Sequence, residues 1–302
     1  MSGAEAPTAD PGTADPGRRL DRLLGGRLRL WQPTAGYRVA IDPFLLAASL
    51  SPEPGEHLLE LGCGSGAVSL CLLARHPRVT VVGLEVQDDL AALARMNARE
   101  NGFEDRLEIR TGDLSGMPPD LNGAFDQVFF NPPYLAGASA TVSARRQRAT
   151  AHFHGDGALG RWFAAARFAL RPGGRLAVIF RADRLDDLLA VAGAEDFGSF
   201  ALQPLWPKAG QPARRLLLAA RRGGRSPLLL HPGLVLHEAD GRYTADAAAV
   251  LRGEAAIPLH PPVRPRRAKA FAQEARGAEQ CNPDTRDDPE QTAAKGEHDR
   301  GS

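Results

Sequence analysis

Cysteine is scarce: three residues, Cys63, Cys71 and Cys281, in a chain of 302. They form no Cys-x-x-Cys pair and no metal-like spacing with histidine, so no metal site is expected and the thiols read as reduced ones in a cytoplasmic protein. An excess of one charge is lacking too. Lys and Arg number 37 against 36 Asp and Glu, a net charge of +1, so no global field marks the chain as a nucleic-acid binder. No apolar stretch reaches membrane-spanning length. The first 19 residues hold acids, Pro and Gly without an apolar core, which is not the pattern of a signal peptide. The expectation is a soluble, cytoplasmic protein with no membrane partner; a monomer is favoured, though the sequence does not fix the oligomeric state.

What is present is an alternation. Residues 1–18 are rich in Pro, Gly and Ala and predict a disordered N-terminus. Residues 19–55 carry a short hairpin or strand near 27–32, then a helix from about 42, with Asp42 as N-cap and Pro43 in its first turn. From 56 to 222, apolar runs at 57–61, 79–84, 107–110, 125–130, 175–180, 199–205 and 214–220 alternate with helical segments near 66–75, 87–101, 158–170 and 182–194. That order predicts right-handed βαβ units: an α/β fold with a mostly parallel, doubly wound sheet, helices on both faces and an antiparallel edge strand. Residues 223–260 form a small appendix, with short strands at 228–230 and 234–236 and a helix capped by Thr244. Residues 261–302 read as a disordered tail.

The chemistry gathers after the ends of the predicted strands. Gly62, Gly64 and Gly66 make a glycine-rich turn between the first core strand and its helix, which brings backbone N–H groups close to a ligand. The spacing also fits a dinucleotide loop. Glu60 shifts the balance, since a carboxylate there repels a pyrophosphate but suits the cationic amino end of S-adenosylmethionine. Glu85 ends the next strand, where an acid can hold both hydroxyls of a ribose. Asp113 follows the third strand and can accept from an adenine amino group. The fourth strand ends in Asn131-Pro132-Pro133-Tyr134. Two prolines remove two donors and push Asn131 out of the helical region. The result is a stiff extended corner with free carbonyls, an amide at one end and an aromatic ring at the other, suited to a planar group bearing NH2.

Together these residues resemble the class I S-adenosylmethionine-dependent methyltransferases that methylate amino groups, with their Rossmann-like seven-stranded sheet. The segment Gln32-Pro33-x-x-Gly36-Tyr37-Arg38-Val39-Ala40-x-Asp42 is most similar to the bacterial tRNA1(Val) adenine N6-methyltransferases. The resemblance covers roughly residues 20–255. It implies that Glu60, Gly62, Gly64 and Gly66 line the methionine part of S-adenosyl-L-methionine, that Glu85 holds the ribose and Asp113 meets the adenine, and that Arg38 to Asp42 lie near the methionine end. Asn131 and the Pro132 carbonyl would accept from the target NH2, beside the cofactor. Pro133 and Tyr134 would contact the target ring, with Tyr134 stacking on it. Arg145, Arg146 and Arg148 would reach phosphates of an RNA partner, a tRNA. Many members of the family carry Asp at the position of Glu60, one methylene shorter. The corner itself does not separate adenine from glutamine, so a protein glutamine methyltransferase is the alternative. An NAD-dependent oxidoreductase leaves Asn131 to Tyr134 unexplained, and a non-catalytic RNA-binding domain does not require the acidic and glycine positions.

Overall fold

The computed structural model describes residues 8–9, 17–34, 39–133 and 158–261. Strands β1 (Thr8–Ala9), β2 (Arg18–Leu23) and β3 (Leu28–Pro33) form a small antiparallel sheet, so part of the segment read as patternless contributes a strand. Helix α1 (Asp42–Ser49) follows. The main sheet is built from β4 (His57–Leu61), β5 (Thr80–Glu85), β6 (Leu107–Thr111), β7 (Phe125–Phe130), β8 (Leu170–Arg181), β9 (Phe197–Lys208) and β10 (Arg215–Arg222), the seven expected strands. Two short pieces, β11 (Leu229–Leu230) and β12 (Leu234–His237), extend it. The connecting helices are α2 (Ala67–Arg75), α3 (Asp88–Glu100), α4 (Ala158–Ala169) and α5 (Leu185–Ala194). Helix α6 (Ala245–Leu251) closes the described chain and is capped, as expected, by the Thr244 hydroxyl, which accepts from the Ala247 N–H at 3.2 Å.

The strand order is β11-β9-β10-β8-β7-β4-β5-β6, with β12 beside β9. Strands β4 to β8 run parallel. The expected hairpin of β9 and β10 stands at one side of the sheet, and its antiparallel member is the inner one: β10 pairs with both β8 and β9. The chain runs from β4 outward to β5 and β6, then crosses back to place β7 on the other side of β4. That reversal opens a crevice at the carboxyl ends of the strands.

Side-chain alternation divides the core between the two faces of the sheet. Leu58, Val81 and Phe129 face α1, α2 and α3, whereas Leu59, Val82, Val128 and Phe130 face α4 and α5. The first face continues into the appendix: Leu236, Ala247, Val250, Ile257 and Leu259 are buried in it. Backbone and side-chain bonds fix that join. The Ile257 N–H donates to the Ala48 carbonyl at 2.8 Å, and the Arg75 guanidinium donates to the Ala255 and Val250 carbonyls at 2.8 and 2.6 Å. The residues 223–260 are thus continuous with the core rather than a loose attachment.

One local expectation needs correction. Asp42 is the first residue of α1 and makes no side-chain cap; Ile41 holds the cap position. Its carboxylate instead forms an ion pair with Arg215 of β10 at 3.2 Å. Within β8, Arg171-Pro172-Gly173-Gly174 forms an irregularity: pairing with β7 passes from Phe125↔Leu170 to Gln127↔Arg175. From residue 262 the expected tail lies outside the described residues.

Candidate active site

The adjacent strands β7, β4, β5 and β6 bring Asn131, the glycine turn, Glu85 and Asp113 to one edge of the sheet, side by side in that order. The turn is shaped by residues that only glycine satisfies. Gly62 has φ of +64°, and a β-carbon there would lie 2.5 Å from Cη2 of Trp162 on α4. Gly64 has φ of +56°, and a β-carbon on it would meet nothing within 4 Å, so this glycine borders open space.

Two buried carboxylates hold the turn. Glu85 Oε2 accepts from the Gly64 N–H at 2.8 Å, and its Oε1 accepts from the Gln87 N–H at 2.9 Å. Glu60 Oε2 accepts from the Ser69 N–H at 3.1 Å and from the Ser69 hydroxyl. Gly66, the N-cap of α2, has no side chain to offer, so Glu60 caps the helix from the neighbouring strand. Burial raises the Glu60 pKa to about 8, offset in part by the two bonds from Ser69 and reinforced by the charge of Glu85. Below, the Cys63 side chain fills the gap over β5: a β-carbon on Gly83 would come within 2.9 Å of its sulfur. Burial, together with Glu60 and Glu85, lifts that thiol well above its ordinary value, so Cys63 is a packing group and not a nucleophile.

Asn131 stands at the end of β7, followed by a buried Pro132 and an exposed Pro133. Its Oδ1 is shielded from solvent and accepts no hydrogen bond from the described residues. An orphaned buried acceptor costs about 1–3 kcal/mol and is retained where something else supplies the donor. Phe130, just before it, is fixed by Trp162 and Phe163 with ring centroids 5.3 and 5.4 Å away. Trp162 therefore touches both the glycine turn and the strand that carries Asn131. Asp113 is exposed; its Oδ1 accepts from the Ser115 N–H at 2.7 Å and turns the chain at the end of β6.

The model of the methyltransferase small domain family matches residues 39–187. A tRNA1(Val) (adenine(37)-N6)-methyltransferase of Porphyromonas gingivalis is 31% identical over 231 residues, spanning 73% of this chain and 89% of that protein. The chain belongs to the tRNA1(Val) adenine N6-methyltransferase family. A member from Dickeya chrysanthemi is 29% identical over 222 residues, covering 71% of this chain and 86% of its own. The solved structure of a predicted O-methyltransferase from Agrobacterium tumefaciens superposes with a TM-score of 0.60 at 24% identity, covering 72% of this chain and 98% of that one, which speaks for the fold.

The protein is accordingly an S-adenosylmethionine-dependent N-methyltransferase. Of the residues singled out in the sequence of this methyltransferase, Glu60, Gly62, Gly64, Gly66, Glu85, Asp113, Asn131, Pro132 and Pro133 line one edge of the sheet. Asp42 is turned to Arg215. Arg38, Tyr134, Arg145, Arg146 and Arg148 lie outside the described residues. Three residues near this edge were not singled out in the sequence. Trp162 and Asn97 sit in ordinary helical pattern. Val86, directly after Glu85, is one of four exposed large apolar side chains among the described residues; its place after a strand-ending acid was the available clue.

Proposed function

We propose that this methyltransferase acts on an exocyclic amino nitrogen, N6 of an adenine in tRNA, in the cytoplasm. The observation that carries the reading is the orphaned Asn131 Oδ1, a buried acceptor beside the glycine turn. The tRNA assignment draws on the relatives named for adenine 37 of tRNA1(Val).

The residues fit the cofactor. Open space at Gly64, a carboxylate at Glu85 and an exposed apolar Val86 suit a nucleoside with an apolar base face and a ribose diol. Glu85 would take the ribose, Val86 and Asp113 the adenine, and Glu60 with Gly62, Gly64 and Gly66 the methionine part, with Arg38 near its carboxylate. When bound, the sulfonium supplies an electrophilic methyl group.

The protein's own part is to prepare the nucleophile. The lone pair of an adenine amino group is delocalised into the ring. Asn131 Oδ1 and the Pro132 carbonyl, accepting from its two N–H groups, would draw the nitrogen toward tetrahedral geometry and localise that pair. Pro133 and Tyr134 would hold the ring, the latter by stacking. In-line placement of this kind contributes up to about 7–11 kcal/mol. The proton is acidic once the methyl is transferred, so no general base is needed in the step. An adenine in folded RNA must be splayed out to reach such a corner, and Arg145, Arg146 and Arg148 supply charge for the flanking phosphates.

The test is to incubate the purified protein with labelled S-adenosylmethionine and total RNA or total protein from a strain lacking its gene. N6-methyladenosine in tRNA is the expected product. Methylglutamine in a protein, with no label in RNA, overturns the substrate assignment.

A further inference from the structure

Asn97, on α3, is fully buried, and its amide joins two elements that are distant in sequence. Oδ1 accepts from the Trp31 N–H at 2.8 Å, and Nδ2 donates to the Trp31 carbonyl at 3.0 Å and to the Ser65 carbonyl at 2.9 Å. One helical turn later Asn101 repeats half of this pattern. Its Oδ1 accepts from the Arg29 N–H at 2.9 Å, and its Nδ2 donates to the Arg29 carbonyl at 2.7 Å and to the Asn97 carbonyl at 2.8 Å. Four residues of helix rise about 6.0 Å and two of strand about 6.6 Å, so amides at this spacing meet alternate residues along one strand edge. The pair satisfies the edge of β3 opposite β2.

Were edge closure the whole role, Asn97 and Asn101 would be equivalent. They differ in one bond: the second N–H of Asn97 ends on Ser65, inside the glycine turn. The Gly64 N–H in that turn is held by Glu85, and the Gly66 N–H donates to the Cys63 carbonyl at 2.9 Å. Asn97 holds the carbonyl of that same Ser65–Gly66 peptide, so the peptide is fixed at both its N–H and its C=O. On the other side β3 ends near Gln32, which is buried; its Nε2 donates to Asp21 Oδ2 at 2.5 Å and its Oε1 accepts from the Val39 N–H at 2.9 Å. A continuous chain of bonds thus runs from the glycine turn through Asn97 and β3 to the backbone that enters α1.

We infer that Asn97 is a positioning residue for the cofactor, setting the glycine turn and the N-terminal hairpin relative to each other. The inference rests on the cofactor reading of that turn. Loss of the Ser65 bond lets the turn's donors reorient, which weakens cofactor binding without touching the reacting atoms. Asn97→Asp is more severe than Asn97→Ala in this respect, because a carboxylate faces the Ser65 and Trp31 carbonyls while still accepting from the Trp31 N–H.

The experiment measures the Kd of S-adenosylhomocysteine by calorimetry, the thermal unfolding midpoint, and KM for the cofactor against kcat, on the full chain and on Asn97→Ala, Asn97→Asp and Asn101→Ala. Asn101→Ala should lower the midpoint with Kd within about twofold of the parent. Asn97→Ala should raise Kd and KM by about tenfold, the scale of one or two hydrogen bonds, and Asn97→Asp by more, with kcat at saturating cofactor within about threefold. Should Asn97→Ala not fold, Asn97→Ser, which keeps a hydroxyl and adds no buried charge, carries the comparison. A folded Asn97 variant with parental Kd overturns the inference, as does an Asn101→Ala that weakens binding equally. An unmodified protein that does not bind S-adenosylhomocysteine overturns the cofactor reading itself, a result distinct from either.

Discussion

The ring of Trp162 occupies the space that a side chain on Gly62 would need, 2.5 Å from an added β-carbon. The helix that bears Trp162 thus abuts the glycine turn directly. Gly62→Ala combines a left-handed backbone, worth roughly 1–2 kcal/mol, with overpacking of about 1–3 kcal/mol. Thermal unfolding should show a clear fall in midpoint. Gly64→Ala meets only the backbone term, because nothing lies within 4 Å of the added carbon. It should stay folded yet fail to bind S-adenosylhomocysteine. Equal effects of the two changes on stability would refute this division.

Asn131→Ala should separate activity from stability. Removing an orphaned buried acceptor costs the fold little, and relieves a penalty of about 1–3 kcal/mol. The expected variant unfolds at or above the parental temperature, binds cofactor normally and loses at least about a hundredfold in kcat, comparable to loss of one preorganised polar group in other enzymes. Full turnover by this variant would remove the corner from the mechanism.

The buried Glu60 carries a sign for pH. Its pKa in the fold is about 8 against an ordinary 4.5, so between these values the native state keeps a proton that the unfolded chain has released. Its contribution to stability is complete below about 4.5 and is lost as pH rises through 8. Urea midpoints measured from pH 5 to 8 should decline less steeply in Glu60→Gln than in the parent, and identical slopes would show that another group dominates.

A chain ended at residue 225 should not fold properly. It would uncover the face of α1 and α2 against which Leu236, Val250, Ile257 and Leu259 are buried, and leave Arg75 without its two carbonyl partners. Expression of the shortened chain is expected to give aggregated protein, whereas ending it at 261 should preserve the unfolding midpoint.

The parallel sheet was legible because its buried strands are short apolar runs separated by helical segments, and because the acids at 60 and 85 and the Asn131 corner fall at the carboxyl ends of such runs. Asp42 was misplaced as a cap because the local pattern Asp-Pro is the same whether the carboxylate bonds its own helix or Arg215, which lies far along the chain. Glu60 was read toward a ligand, yet one of its oxygens caps α2, a need created by Gly66 that only the three-dimensional turn reveals. Asn97 and Trp162 gave no signal, since their partners at Trp31, Ser65 and Gly62 are assembled by tertiary packing rather than by spacing.

Glu85 also bears on how turnover ends. Its carboxylate accepts from two backbone N–H groups, Gly64 and Gln87. If it holds the ribose as proposed, departure of the spent cofactor strands no bare anion, because half of its acceptor positions remain filled. Product retention is then set by the contacts of the base and the amino acid end, and the nucleoside sugar is a handle the enzyme can let go.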